Sequence, residues 1–213
     1  MKPQISKPNR RIGIIGEHPN NDSEAMIELL RARLQENVTI ETIDLLHFRG
    51  SKMDAPTFYG VLTSELIGEN FEYIIVLRDL DVSKDKNVTQ KMQLKKRDKW
   101  FEKVNKAIGA VGVKGIFFLI IYELEALILC DEATINAYFN LNLTLEIEPI
   151  EEKQPKELLQ KLTLHSTKGL YVEKEAKAIF KQISFQKVYQ NHTGLRSFQA
   201  FVDDLQRIEL ISI

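Results

Sequence analysis

The sequence predicts an α/β fold in which a mostly parallel, four-stranded sheet carries helices on both faces, with a small helical subdomain at the C-terminal end. Two observations predict this fold. Strand-like segments alternate with segments of helical periodicity, as in a chain of βα units. The strand-like segments, such as IGIIG at 12–16 and YIIVL at 73–77, are apolar throughout rather than at every second position. That pattern is typical of strands buried on both faces of a parallel sheet.

The first third of the chain predicts two strands and two helices. A short apolar strand at 11–16 precedes a Pro-Asn-Asn turn and a helix that Asp22 or Ser23 can cap. The β-branched segment 38–47 predicts the second strand, and Pro56 fits the first turn of the helix that follows it.

The third strand is followed by a long charged helix from about 89 to 108, and the fourth strand occupies 115–121. Another helix begins near Glu125. Beyond an acidic loop, further helical patterns occupy 155–164, 172–183 and 195–208. This order predicts an α/β domain at 1–140 and a helical extension or lid at 141–213.

The composition is that of an ordinary globular protein and excludes several classes of function. The chain of 213 residues has 29 basic and 30 acidic residues, a net charge of -1, so no global field attracts nucleic acid or a membrane. The single cysteine, Cys130, excludes an intrachain disulfide and a cysteine-based zinc site. The most apolar run stops at Glu123, well short of a bilayer span, so we expect a cytoplasmic protein with no membrane partner.

Acidic residues stand where the predicted strands end. They follow the first, third and fourth strands and are Glu17, Asp79, Asp81 and Glu123. Functional sites of open parallel sheets form outside the carboxyl ends of the strands, so these side chains are expected to lie together. Gathered carboxylates raise one another's pKa unless a cation neutralises them, and hard oxygen ligands suit Mg²⁺ or Mn²⁺. The sequence therefore predicts an acidic metal cradle.

Each of these acids also has a structural interpretation, because Asp and Glu often follow strands where they cap the next helix. Asp79 and Asp81 are two apart in an extended segment, so both side chains point to the same side, as two ligands of one ion require. Glu125 opens the next helix, where it either completes the metal shell or interacts favourably with the helix N-terminus.

A Glu closing the first strand and an Asp-x-Asp closing the third resemble the metal-binding Toprim fold of topoisomerases, bacterial primases and OLD-family nucleases. The segments IIYELEALILCDEATI, QPKELLQKL and LRSFQAFVDDL are similar to Toprim-like proteins of bacterial defence and mobile loci, often encoded beside an ATPase. The positions that match their pattern are Glu123, Glu125, Ala126, Leu129, Asp131, Ser197 and Phe198. The resemblance implies a Toprim/Rossmann-like fold and metal-dependent chemistry on phosphodiesters.

The resemblance also implies roles for the matched residues. Glu17 would be the general acid or base, or would bind a second ion. Asp79 and Asp81 would hold Mg²⁺ against a phosphodiester. Glu123 or Glu125 would complete the metal shell.

Two positions depart from the family pattern. Toprim glutamates are usually followed by glycine, whereas Glu17 is followed by His18 and Pro19. A histidine here can shuttle protons as part of the site, or it can be a surface loop residue. Leu127 stands where the related proteins carry an aromatic residue. Divergence within the family and loss of activity are both compatible with these changes.

The segment after the third strand is strongly basic. From Lys84 to Lys106, nine basic residues stand against three acidic ones, an excess of six positive charges. Such a segment beside an acidic metal site can hold the phosphates of nucleic acid. The candidate contacts are Lys95, Lys96, Lys99, Trp100 and Lys103, with Trp100 stacking on a base. The alternative is a solvated helix face with Trp100 half in the core.

Three functions stay open at this point. The first is a Mg²⁺-dependent nuclease or related phosphoryl-transfer domain, acting on DNA or RNA with an ATPase partner in a bacterial defence system. The second is a nucleotide-sugar glycosyltransferase whose Asp-x-Asp motif binds a Mn²⁺-diphosphate, although no acceptor domain is obvious in a chain of this length. The third is a non-catalytic Toprim-like module that binds nucleic acid or a partner. A homodimer is compatible with each of them.

Overall fold

The chain forms an α/β fold around a four-stranded, all-parallel sheet, as the sequence predicts. A computed structural model describes residues 8–45, 47–80, 88–146, 148 and 154–213. The strands are β1 (Arg10–Ile15), β2 (Val38–Thr42), β3 (Tyr73–Leu80) and β4 (Lys114–Ile121). Their order in the sheet is β2-β1-β3-β4, so β1 and β3 are the internal strands. In register, Ile14 of β1 pairs with Ile75 of β3, and Asp79 of β3 with Ile120 of β4.

Helices follow the strands and also form the C-terminal part. Those up to residue 140 are α1 (Glu24–Arg31), α2 (Phe58–Leu66), α3 (Gln90–Gly109), α4 (Glu125–Ile128) and α5 (Glu132–Phe139). The later ones are α6 (Pro155–Thr163), α7 (Ala176–Phe180), α8 (Phe185–Asn191) and α9 (Phe198–Arg207). Short turns of 3-10 or π-helix occupy Pro19–Ser23, Gly50–Asp54 and Glu173–Glu175. Among the described residues, the helices are too short or too polar to cross a membrane.

Side chains that alternate along the strands build one hydrophobic core on each face of the sheet. Ile75 of β3 belongs to the core covered by α1 and the C-terminal helices, where the ring of Phe118 stacks on Phe201 with 4.7 Å between centroids. Its neighbour Ile74 belongs to the core covered by α2 and α3. Both faces of the sheet are therefore covered, which explains the apolar runs within β1, β3 and β4, whereas the edge strand β2 is only partly buried.

The C-terminal part, 141–213, shares the first of these cores with the sheet. Nη1 of Arg10 in β1 donates to the carbonyl oxygen of Ile208 at 2.9 Å. Leu34 and Ile211 form an isolated antiparallel bridge. The last residues thus fasten the C-terminal helices to the N-terminal part of the chain.

The observed helices differ from the predicted ones in three places. The pattern at 172–183 divides into a 3-10 turn and α7. α4 lasts only one turn, and the chain starts α5 anew with Asp131 as its N-cap. α8 was not predicted; it begins where Oγ of Ser184 accepts the N–H of Lys187 at 3.4 Å. These helices are short, so apolar spacing alone gives little sign of where each begins and ends.

Candidate functional site

The carboxyl ends of β1, β3 and β4 open into one cleft, which we call the carboxylate cleft. Its volume is about 190 Å³, and its lining consists of Glu17, His18, Asn21, Asp22, Asp79, Glu123, Leu124, Glu125, Lys156, Glu173 and Ala176. Parallel strands place their last residues and the loops that follow them at the same edge. Five of the predicted site residues meet here, namely Glu17, His18, Asp79, Glu123 and Glu125. The predicted ligand Asp81 lies outside the described residues.

Glu17 links β1 to β3 through a buried arginine that the sequence analysis missed. Its Oε1 lies 2.8 Å from Nη1 of Arg78, whose side chain is 1% exposed. The same oxygen accepts the backbone N–H of Asp79 at 3.3 Å. Burial lowers the pKa of Arg78, and the charge of Glu17 opposes that shift. Glu17 and Asp79 therefore meet at one edge of the sheet, as parallel strands require, and Arg78 fixes the Glu17 carboxylate.

The turn Pro19–Ser23 approaches β1 closely because residue 16 is glycine. A Cβ added at Gly16 would lie 2.9 Å from Cβ of Asp22 and 3.0 Å from Oγ of Ser23. The turn closes on itself, because the carboxylate of Asp22 accepts the backbone N–H of His18 at 2.9 Å. Asp22 therefore lines the cleft instead of capping α1, and Ser23 at the N-cap position makes no side-chain cap either.

Two carboxyl groups of the cleft titrate near neutral pH. Burial raises the pKa of Asp22 to about 7, and the charge of Glu17 adds to this shift. Burial also raises the pKa of Glu125 to about 7, although Oη of Tyr171 donates to its Oε1 at 2.8 Å and opposes the shift. Glu125 is 8% exposed, and Tyr171 is fully buried. Each carboxyl group can therefore hold or release a proton near pH 7.

Lys156 of α6 brings a positive charge into the cleft from the C-terminal part. Its Nζ lies 3.6 Å from Oε1 of Glu123 and 3.0 Å from Oε1 of Glu173. Its backbone N–H donates to Oε2 of Glu123 at 3.2 Å. Burial disfavours the charged lysine, but the hydrogen bond to Glu173 and the charge of Glu123 outweigh burial and raise the pKa of Lys156. Lys156 and Glu173 are far along the chain from the strand ends. Lys156 lies in the segment QPKELLQKL, but the resemblance assigned a site role to neither residue.

Glu123 has a structural role in addition to its place in the cleft. Burial raises the pKa of Glu123, and the hydrogen bond from the Lys156 N–H opposes the shift. Because that N–H belongs to the first turn of α6, the carboxylate satisfies a donor that the helix leaves unpaired. Glu123 therefore anchors the C-terminal part to the end of β4.

Two positions of the family resemblance serve the fold rather than the cleft. Asp131 is 2% exposed and accepts the N–H of Ser184 at 2.9 Å and Nζ of Lys187 at 2.6 Å. Burial alone would raise the pKa of Asp131, but these hydrogen bonds lower it below its ordinary value. Ser197 caps α9, since its Oγ accepts the N–H of Ala200 at 3.2 Å.

The basic face of α3 is exposed, but its tryptophan is not. The four predicted lysines Lys95, Lys96, Lys99 and Lys103 are all exposed. Trp100 is 5% exposed, and its Nε1 donates to the carbonyl oxygen of Met53 at 3.1 Å. Its ring stacks on Phe58 with 5.8 Å between centroids. The prediction that Trp100 stacks on a base is therefore wrong, because this side chain belongs to the core beneath α3.

Most of the charged side chains that line the cleft carry carboxyl groups. Carboxylate oxygens are the ligands that Mg²⁺ and Mn²⁺ prefer, and Mg²⁺ is usually held by one or two carboxylates with waters and substrate phosphates. Within the described ranges, no three His, Cys, Asp or Glu side chains are arranged as a ready-made metal site. Asp79 and Glu123, at the ends of the neighbouring strands β3 and β4, both line the cleft.

Comparisons of the chain with protein-family models, with curated proteins and with solved structures find no match. Function is therefore inferred from the geometry and chemistry of the carboxylate cleft and its surroundings. The Toprim resemblance stays an expectation that rests on sequence motifs.

Proposed function

We propose that the protein is a Mg²⁺-dependent or Mn²⁺-dependent nuclease that hydrolyses phosphodiester bonds of nucleic acid at the carboxylate cleft. The observation that carries this proposal is the meeting of acids from the ends of three adjacent strands, β1, β3 and β4, in one cleft. Gathered carboxylates cost free energy unless a cation joins them. A divalent ion held together with a substrate phosphate would balance that charge.

The proposed ligands are Asp79 and Glu123, with Asp81 as a further candidate from the family resemblance. When bound, the ion would polarise the scissile phosphoryl group and lower the pKa of an attacking water. Glu17 would orient the water or a second ion, since its carboxylate is fixed by Arg78 at 2.8 Å.

Proton transfer is assigned to the edge of the cleft formed by the turn after β1. The pKa of Asp22 is raised to about 7, so its carboxyl group can take a proton from the attacking water and return it to the leaving oxygen. His18 lines the same cleft and is exposed, which makes it the second candidate for this transfer.

The basic helix supports nucleic acid as the substrate. The start of α3 contacts the end of β4, because Nε2 of Gln90 donates to Oη of Tyr122, the residue before Glu123, at 3.4 Å. The exposed lysines of this helix can neutralise phosphates that the carboxylates would otherwise repel. An ATPase partner is proposed from the family resemblance alone.

A non-catalytic binding module is the second candidate function. The specific observation in its favour is Lys156, whose Nζ lies 3.0 Å from Glu173 and 3.6 Å from Glu123. An ammonium group in this position already neutralises part of the cleft, as an ion would.

The test combines calorimetric titration of Mg²⁺ and Mn²⁺ with an oligonucleotide cleavage assay. Wild-type protein should bind metal and cleave DNA or RNA only when metal is present. Asp79→Asn should weaken metal binding about tenfold or more and abolish cleavage. The matched control is Glu65→Gln, an exposed acid on α2, which should behave as wild type.

The results of these two assays distinguish the nuclease from the non-catalytic binding module. Metal binding without cleavage of any oligonucleotide favours the binding module. Failure of the wild-type protein to bind either metal contradicts the nuclease proposal, as does metal binding that survives Asp79→Asn unchanged.

A further inference from the structure

A second pocket lies on the other face of β3 from the carboxylate cleft. Its volume is about 220 Å³, and its lining consists of Ser51, Asp54, Arg78, Leu80, Gln93, Lys96 and Arg97. We call it the cationic pocket. Successive residues of a strand point to opposite faces, and Arg78 lines this pocket while Asp79 lines the cleft. The ion pair of 2.8 Å between Arg78 and Glu17 connects the two sites.

Two guanidinium groups converge on one carboxylate oxygen in the cationic pocket. Nη2 of Arg78 and Nη1 of Arg97 lie 3.2 Å and 2.8 Å from the same Oδ1 of Asp54. Nζ of Lys96 lies 4.0 Å from Oδ2. Three positive charges thus share Asp54. In the ion pairs formed among the described residues, these three cations face two carboxylates, Asp54 and Glu17. Like charges this close repel one another, and the proximity of Arg97 contributes to the lowered pKa of Arg78 after burial. A further anion would relieve this repulsion.

The arginines of the cationic pocket retain hydrogen-bond donors. Among the residues that the structure describes, Nη1 of Arg97 has a hydrogen-bond partner, and none is found for its Nε or Nη2. Nε of Arg78 is buried and likewise lacks a partner within the described part of the chain. A guanidinium presents its N–H groups as a planar fork that matches two oxygens of a phosphate. The pocket therefore has the charge and the donor geometry for an oxyanion.

We propose that the cationic pocket binds one phosphoryl group of a nucleic acid strand. This inference deepens the proposed function and rests on it, because it names a point at which the substrate is held beside the carboxylate cleft. Arg97 binds two phosphate oxygens, the exposed Lys96 covers the group from outside, and Arg78 supplies positive charge at the base of the pocket.

The exposed lysines of α3 extend the cationic pocket into a track for the strand. Lys96, Lys99 and Lys103 are three and four residues apart, so they lie on one face of the helix, and all are exposed. Lys96 stands at the pocket and the others follow along the helix axis. Successive phosphates can therefore be neutralised along α3 with one phosphate seated in the pocket.

The test measures binding of short, 3′-labelled single strands of DNA and RNA by fluorescence anisotropy in EDTA over a series of salt concentrations. Lys96→Gln and Arg97→Gln should each weaken binding and flatten the slope of log K against log salt by about one unit, as the loss of one phosphate contact requires. The control is Lys161→Gln, an exposed lysine on α6 on the other side of the sheet, which should leave affinity and slope unchanged.

Two arms distinguish the source of the phosphoryl group. Tighter binding of a 5′-phosphorylated strand than of its 5′-hydroxyl counterpart, with competition by inorganic phosphate, identifies a terminal phosphate. Equal binding of both strands identifies a backbone phosphate. Both results support the inference provided that the two pocket variants bind more weakly than wild type.

The inference is overturned if Lys96→Gln and Arg97→Gln keep the wild-type affinity and salt slope, or if wild-type protein binds no strand at low salt. Because EDTA removes divalent metal, neither result depends on the carboxylate cleft. Metal calorimetry and the cleavage assay on wild-type protein test the nuclease proposal separately. Because Lys96 is exposed, Lys96→Gln should fold as wild type does. It therefore still tests the pocket if the buried Arg97 cannot be replaced without unfolding the protein.

Discussion

At the scale of single residues, the buried Arg78 joins the two pockets at the edge of the sheet. Its Nη1 donates to the carbonyl oxygen of Gly50 at 2.8 Å, in addition to its ion pairs with Glu17 and Asp54. Its guanidinium carbon lies 5.4 Å from the centroid of the Trp100 ring. Removing one partner of a buried ion pair leaves an uncompensated charge, which costs far more than the pair itself is worth.

We therefore expect Arg78→Met to lower the free energy of unfolding by about 3 kcal/mol or more, because the carboxylate of Glu17 loses the buried guanidinium and Asp54 keeps only Arg97 and Lys96. Urea denaturation measures the change. The control is Arg49→Met, since Arg49 pairs with Asp44 at 3.3 Å with 45% and 35% of the two side chains exposed. The control should lose less than about 1 kcal/mol. Equal losses in the two variants would contradict the role given to Arg78.

His192 is a second buried polar residue, and its burial predicts a measurable effect of pH on stability. It is fully buried, and its Nδ1 accepts the backbone N–H of Phe198 at 2.9 Å. Its Nε2 has no hydrogen-bond partner within the described ranges. Burial lowers the pKa of His192 from 6.5 to about 4, so the folded protein keeps this imidazole neutral.

The pKa shift of His192 predicts a loss of stability in acid. The unfolded chain binds a proton as the pH falls through 6.5, whereas the folded protein binds it only near pH 4. The titration of His192 therefore leaves the free energy of unfolding unchanged above pH 6.5. On acidification to pH 4 it lowers the free energy of unfolding by about 3 kcal/mol.

The variant His192→Asn isolates this contribution, because an asparagine carbonyl can accept the Phe198 N–H without titrating. Urea denaturation at several pH values between 6.5 and 4 should show a shallower fall in stability than for wild type. The exposed His165→Asn serves as control and should follow the wild-type curve. An equally steep fall in His192→Asn would assign the acid sensitivity to other groups.

At the scale of elements, the contact between β1 and the turn Pro19–Ser23 shapes one wall of the carboxylate cleft. Gly16→Ala should lower the free energy of unfolding by about 1–3 kcal/mol, because its Cβ would lie 2.9 Å from Cβ of Asp22. The matched control is Gly60→Ala in α2, where a Cβ meets nothing within 4 Å and should stabilise the helix by up to about 1 kcal/mol. Thermal unfolding compares the two. Wild-type stability of Gly16→Ala would show that the turn can move away without cost.

The spacing of the buried residues of α3 determines where Trp100 points. Arg97, Trp100 and Val104 are three and four residues apart, and all three are buried. Their spacing places Trp100 on the inner face of the helix, as the periodic pattern of apolar residues there already implies. The error over Trp100 arose from the basic residues around it, which fit a solvent-facing surface.

At the scale of the whole molecule, the C-terminal part supplies a cation to a cleft that the sheet builds. We expect Lys156→Gln to tighten Mg²⁺ binding about fivefold, on the order of 1 kcal/mol, because the metal no longer competes with the ammonium group between Glu123 and Glu173. Isothermal calorimetry measures the affinity. Lys161→Gln on the same helix is the control. Weaker metal binding by Lys156→Gln would show that the lysine organises the acids instead of competing for them.

Structural features that depend on short stretches of the chain could be predicted from the sequence. Three apolar runs and the β-branched segment 38–47 predicted the four strands, and the parallel order then predicted that Glu17 and Asp79 meet at one edge. Arg78 and Lys156 could not be found in this way, since their partners are brought to them only by tertiary packing. Arg78 even stands in an apolar strand, where nothing local shows that two carboxylates will surround it.

Trp100 is the only tryptophan of the chain, and it lies beside the cationic pocket. All tryptophan emission of the protein therefore originates from one indole, packed on Phe58 and close to the Arg78 guanidinium. An anion that enters the pocket changes the electric field at that indole, so its emission wavelength should respond without any attached dye. A metal ion in the carboxylate cleft, on the opposite face of β3, should shift it less. The fluorescence of Trp100 should therefore report anion binding in the cationic pocket more strongly than metal binding in the carboxylate cleft.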